Sequence, residues 1–241
     1  MTESTTPETK NNSQKTIGKI VAEDYRSAAV FEKYGIDFCC GGQVSLATAC
    51  QTKKLDIDAV QLEIETATKE PIEQRHNYAA WSLSFLADYI VNTHHAYINN
   101  ELITINSYTH KIADVHGVNH PEVIKIANIF AKIKSDMVEH LREEEEILFP
   151  AIKRVEASKK EDSLPDSKDV KIIKISLEKL YGEHEEIGDA VHEIRHLASD
   201  YAIPEDGCNT FALTYKKLNE FEDDLHRHVH LENNLLFPNA V

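Results

Sequence analysis

The chain has 241 residues, and 41 acidic residues against 26 basic ones give a net charge of −15. That length permits one large domain or two smaller ones with a real core. The charge argues against non-specific binding to nucleic acid or an anionic membrane surface. No run approaches the ~18 apolar residues of a membrane span. Residues 1–15 lack the apolar stretch of a signal peptide, so a cytoplasmic protein is expected.

Thirteen His residues stand against two Met and one Trp, an excess for which metal ligation is one cause. Cys39, Cys40, Cys50 and Cys208 contain no Cys-x-x-Cys pair and do not make a secreted disulfide framework. With only 8 Gly and 7 Pro, long uninterrupted elements are expected.

In chain order, residues 1–15 read as a disordered polar tail. Residues 16–70 read as a small helical domain. Ile17, Ile20, Val21, Ala28 and Phe31 follow a helical pattern that Gly35 ends. The glycine-bearing loop Ile36-Asp-Phe-Cys-Cys-Gly-Gly42 comes next. Ser45 caps a helix to about Lys53, and Asp56 caps another through Val60, Leu62 and Ile64. Lys69 to Asn77, with Pro71, reads as a linker. Over 78–241 four long helices are predicted, at about 81–115, 121–156, 170–199 and 209–237, with Pro150 kinking or dividing the second. The fold class is all-α: an up-down four-helix bundle preceded by a small helical domain.

One motif occurs twice. His140-Leu-Arg-Glu-Glu144-Glu-Glu-Ile-Leu-Phe-Pro150 and His228-Val-His-Leu-Glu232-Asn-Asn-Leu-Leu-Phe-Pro238 share the form His-x-x-x-Glu-x-x-(Ile/Leu)-Leu-Phe-Pro. A His and a Glu four apart lie on one helix face. At about 100° per residue, Leu83, Ile90, Ile98 and Ile105 fall within about 40° of His94, while His95 is turned about 100° away. The same test puts Ile129, Ile133, Ile147 and Ala151 with His140 and Glu144. It puts Ile173, Leu177, Leu180 and Val191 with His184, and Phe221 and Leu235 with His228 and Glu232.

The expected inward set is therefore His94, His140, Glu144, His184, His228 and Glu232. Six such ligands suit a pair of metals, two His on each, with Glu144 and Glu232 bridging and positions left for an oxo or hydroxo bridge. Imidazole with carboxylate favours iron or manganese. The rest of the Glu143–Glu146 run reads as a solvated face. Glu193-Ile-Arg-His196 matches a Glu-x-x-His spacing, but Glu193 lies opposite His184 and is expected to face solvent or a partner. His192/His196 and His226/His230 are further pairs four apart.

The duplicated pattern resembles the hemerythrin-like (HHE cation-binding) domain. With Tyr34-Gly-Ile-Asp-Phe-Cys-Cys-Gly-Gly42 ahead of it, the chain from about residue 16 resembles the iron-sulfur cluster repair di-iron proteins, also called the repair-of-iron-centres family. The resemblance implies the same six ligands around two iron ions. Oxygen-carrying hemerythrins have a second His four residues after the third-helix His. Here that position is Gly188, which implies a more open, labile iron. The function implied is repair of iron-sulfur clusters damaged by oxidative or nitrosative stress, by iron donation. Nitric oxide reduction, or binding and sensing of a diatomic gas, is the alternative. The partners implied are damaged iron-sulfur proteins, nitric oxide or oxygen, and an external electron donor. The oligomeric state stays open, with a homodimer as one option. Cys39 and Cys40 are expected to take part in redox or iron transfer, through a thiol with a lowered pKa near a helix N-terminus. The plainer reading is that one packs in a core and the other is incidental.

Overall fold

The computed structural model describes residues 12–70 and 77–241. Most of the expected polar tail (1–11) and most of the expected linker (71–76) lie outside the described residues. The chain divides into two compact units, Met1–Ala79 and Ala80–Val241.

In the first unit, α1 (Ile17–Glu23) begins where Thr16 Oγ1 accepts from Lys19 N. A 3₁₀ turn (Tyr25–Ser27) leads into α2 (Ala28–Lys33). Gly35 ends α2 at φ 61°, a conformation that costs glycine little. Its N–H bonds Glu32 O and that of Ile36 bonds Phe31 O, closing the last orphan carbonyls as a Schellman pair. Then α3 (Leu46–Lys53) is capped by Ser45 and α4 (Ile57–Ala67) by Asp56, as those residue types predict. Ser13 and Lys15 carbonyls accept from Ala47 N and Leu46 N, so the described end of the N-terminal stretch is tied to the start of α3. Ile17, Phe31, Phe38, Leu46, Val60 and Ile64 form this unit's core.

The second unit carries the bundle. Its first helix is α5 (Leu83–Ile90) continued by α6 (Ala96–His116). The second is α7 (Pro121–Glu143) continued by α8 (Phe149–Lys160). The third is α9 (Ser167–Leu197) and the fourth α10 (Asn209–Leu231). α6 packs on α7 while α5 packs on α8, so the first two helices run antiparallel. α7 and α8 pack on α9, and α10 closes the ring against α6 and α9. The up-down four-helix arrangement is the expected one. Glu156 of α8 caps the start of α5, taking Leu83 N on Oε1 and Ser84 N on Oε2, both at 3.0 Å. A carboxylate there meets orphan N–H groups and the positive end of the helix dipole.

Three of the helices are not regular throughout. Wide π-turns interrupt them at Val91–His95, Glu144–Leu148 and Glu232–Leu236. Phe149 N reaches back five residues to Glu144 O, and Phe237 N to Glu232 O. Each π-turn adds one residue and rotates the downstream side chains by about 100°. The duplicated prolines explain two of them. Pro150 and Pro238 lack an N–H and their rings crowd the carbonyl four residues back. A widened turn just before them relieves that clash, and Pro150 then sits in the tolerant first turn of α8. Ile147, expected inward, is accordingly 43% exposed, and Leu148 and Phe149 point inward in its place.

Candidate metal centre

All three π-turns lie beside the same spot at the bundle's heart. There His95, Glu144, His228 and Glu232 bring ligand atoms together, and so do His140, Glu144, His184 and Glu232. The two groups share both glutamates. His95 Nε2 lies 3.1 Å from His228 Nε2, and His184 Nε2 lies 3.1 Å from His140 Nε2. Glu232 spans the pair of pockets, with Oε1 2.8 Å from His228 Nε2 and Oε2 3.3 Å from His184 Nε2. Glu144 Oε2 lies 3.4 Å from His95 Nε2 and 3.5 Å from His140 Nε2.

Five of the six residues expected from the sequence meet here, and His94 does not. Its Nδ1 bonds Asp224 Oδ1 at 2.9 Å, and its ring stacks 6.0 Å from that of His228. The inward imidazole is His95. The π-turn at Val91–His95 is the cause, because the extra residue carries His95 into the direction an unbroken helix gives position 94.

The repeat builds a near-symmetric site. Phe149 stacks on His95 at 5.7 Å and Phe237 on His184 at 5.9 Å, so both copies of Leu-Phe-Pro wall an imidazole. The residue after each glutamate orients that same imidazole: Glu145 Oε1 meets His95 Nδ1, and Asn233 Oδ1 meets His184 Nδ1, both at 2.8 Å. Glu183 Oε2 meets His140 Nδ1 at 2.9 Å. His228 breaks the pattern, since its buried Nδ1 has no hydrogen bond. Glu183 directly precedes His184; the corresponding position before His95 is His94, which turns to Asp224 instead. These outer partners escape a test based on helical phase. Glu145 belongs to the run assigned to a solvated face, and only its place next to Glu144 marks it.

Electrostatics say what the site is for. Glu144 and Glu232 are fully buried, and among the described residues neither pairs with a lysine or arginine. Both oxygens of Glu144 and Oε2 of Glu232 make no hydrogen bond. A buried, unpaired carboxylate costs several kcal/mol, so the pocket demands cations. Without metal the imidazoles answer. Burial lowers the pKa of His95, but contacts with Glu144 and Glu232 outweigh it and lift it to about 10. His184 is raised by Glu232 against the same burial. Burial takes His228 down to about 3, and it stays neutral. Glu144 is raised by burial and by the charge of Glu232. Burial pushes Glu232 the same way, but its imidazole neighbours hold it well below the carboxylate range. Metal ions would displace those protons and take up the orphaned oxygens. The donor set fits two ions, with His95 and His228 on one, His140 and His184 on the other, and the glutamates between them.

Cys39 and Cys40 sit on a different device. Asp37 folds back so that Oδ1 accepts from Cys39 N at 2.9 Å and Cys40 N at 3.1 Å, and Oδ2 from Gly41 N at 2.9 Å. The two sulfurs lie 3.9 Å apart, with Asp37 completing a small group of donors. The expected lowering of a thiol pKa is not found for Cys39. Its hydrogen bond with Cys40 and its burial push it up. Glu193 and His196 are exposed, as their phase predicts.

Comparison with known proteins agrees with this geometry. A family profile described as the hemerythrin HHE cation binding domain matches residues 86–240. One described as ScdA_N, Domain of Unknown function (DUF542), matches residues 13–68. The chain is 33% identical over 222 residues to the iron-sulfur cluster repair protein ScdA of Staphylococcus epidermidis, covering 92% of this chain and 95% of that one. The ScdA of Staphylococcus haemolyticus is 32% identical over 221 residues, 92% of this chain and 95% of the relative. The iron-sulfur cluster repair protein YtfE of Escherichia coli is 30% identical over 226 residues, 93% of this chain and 96% of the relative. With an N-terminal domain and a hemerythrin-type bundle aligned over nearly its whole length, the chain belongs to the ScdA/YtfE family of iron-sulfur cluster repair proteins.

Proposed function

We propose that this protein restores iron-sulfur clusters damaged by oxidants or nitric oxide, by holding two iron ions in the bundle and giving up iron to the damaged client. The observation that carries this reading is the pair of buried His/Glu groups sharing Glu144 and Glu232, in a chain related throughout to repair proteins. Four imidazoles and two carboxylates without a thiolate suit iron better than soft-metal chemistry. Bound iron would supply both an exchangeable ferrous ion and redox chemistry. The chain's own residues set how firmly it is held. Glu183 and Asn233 fix the rings of His140 and His184, whereas only His95 is so braced in the other pocket. Outer partners of this kind strengthen metal binding, so the pocket of His95 and His228 is the one that releases iron. An external donor would return electrons, and Cys39 and Cys40 would serve iron or redox transfer.

The test uses an iron-sulfur enzyme inactivated by oxidant, in the presence of a chelator that captures free ferrous iron. Iron-loaded protein should restore its activity while the same dose of free iron does not. Recovery no better than with free iron would remove the proposal.

One observation favours a second reading, reduction of nitric oxide. Gly188, one turn beyond His184 on its buried face, offers no side chain to fill a coordination position. Anaerobic mixing of the diferrous protein with nitric oxide should then yield nitrous oxide, and its absence ends that reading.

A further inference from the structure

A second set of ligating side chains meets at the seam between α9 and α10, apart from the six at the centre. His192 comes from α9, and Glu222 and His226 stand one turn apart on α10. One ligand atom from each lies within 4.8 Å of the other two. Glu222 Oε1 and His226 Nε2 are 3.9 Å apart, too far for a hydrogen bond. Two atoms bound to one ion at about 2.1 Å stand roughly 3–4 Å apart, so the spacing suits a shared metal. The imidazole rings of His192 and His226 approach to 5.6 Å between centroids.

The carboxylate is fixed in place. Glu222 is fully buried, Arg195 Nε donates to Oε1 at 2.9 Å and Oε2 at 3.0 Å, and the Tyr201 hydroxyl donates to Oε2 at 2.6 Å. This is how outer partners hold a metal-ligating carboxylate. Arg195 also neutralises most of its charge. Attraction for an ion therefore rests on the two imidazoles, which excludes magnesium and calcium and selects a first-row transition ion. His192 is exposed, so the site opens to solvent.

We propose that His192, Glu222 and His226 form a further metal site, which takes one divalent first-row transition ion from solvent and leaves its remaining positions to water. Two imidazoles and one carboxylate on a single ion make a recurring open-site ligand set.

The test is a titration of the metal-stripped full chain with cobalt(II), followed by visible spectroscopy and by a metal count after desalting. Wild type should retain one cobalt more than His192→Ala, and His192→Cys should recover it. His116→Ala, which removes a histidine elsewhere on the chain, should bind as wild type does. The result is a difference between variants, so it stands whatever the central cluster takes up. His192 is exposed, so its replacement should not disturb folding. Equal cobalt in wild type and His192→Ala, or equal loss in His116→Ala, would overturn the proposal.

Discussion

At the scale of single residues, the neighbouring imidazoles His94 and His95 show how a site is built. Both are buried, yet one orients against Asp224 while the other reaches the shared glutamates. His95, His140 and His184 are held by acceptors on their far nitrogens, and removing one such acceptor costs about 10–100-fold in metal affinity in comparable sites. Glu145→Gln should therefore weaken metal binding at the His95 pocket by about that factor. A competition titration against a chelator measures it, and unchanged affinity would show that Glu145 does not orient His95. Most of this centre is legible in the sequence. His140, Glu144, His228 and Glu232 are marked by a duplicated motif, and His184 by its apolar neighbours. His95 is not, because phase at 100° per residue assumes an unbroken α-helix. On that assumption Ile98, Leu102 and Ile105 lie up to about 80° from His95, and His94 is favoured.

At the scale of elements, the π-turns decide which residues face the centre. The two that precede Pro150 and Pro238 have a signal in the sequence, since a proline six residues after an inward glutamate has no regular place in a helix. Val91-Asn-Thr-His-His95 carries no such mark, so helical phase alone sets the first helix one residue out of register. If the first π-turn is a one-residue insertion, deleting the exposed Thr93 should convert it to α-helix. The residues after it, His95 among them, would keep their faces. Deleting Asn106 within regular α6 should instead rotate the rest of that helix by about 100° and unfold the bundle. Circular dichroism and thermal melts of the two deletions decide it. Equal damage from both would contradict the insertion account.

The loops at the far end of the bundle are tied by His120. It bonds Asp206 of the α9–α10 connection at 2.9 Å and Glu122 of α7 at 2.8 Å, and these bonds raise its pKa. A raised value in the folded state means stability that is complete below the unfolded pKa of about 6.5 and is lost as pH rises through the folded one. Wild type should exceed His120→Gln in urea-unfolding stability more at pH 5.5 than at pH 9. An advantage that grows towards pH 9 would refute the pairing.

At the scale of the molecule, all six central residues come from one unit, Ala80–Val241. That unit has its own core, including the Phe130–Phe221 contact at 5.3 Å, and its size is ordinary for a domain. A fragment spanning residues 80–241 should fold and bind as much metal as the full chain, as metal analysis and circular dichroism would show. A fragment that folds without binding would mean that the first unit completes the centre. The net charge of −15 and the lack, among the described residues, of a helix long and apolar enough to cross a membrane agree with the composition. The small unit's caps at Ser45, Asp56 and Gly35 are legible because each depends on one residue type in one position. The fold-back of Asp37 onto Cys39, Cys40 and Gly41 is not, since it arises from loop geometry that no periodicity records.

A two-metal centre with His95 among its ligands makes a definite prediction about iron content. The measurement that tests it most directly is iron bound per chain after anaerobic ferrous loading and desalting, for wild type, His94→Ala and His95→Ala. Two irons are expected in wild type and in His94→Ala, and about one in His95→Ala, because three donors remain in that pocket and none is lost from the other. One iron or none in wild type, or two retained by His95→Ala and lost by His94→Ala, would contradict it.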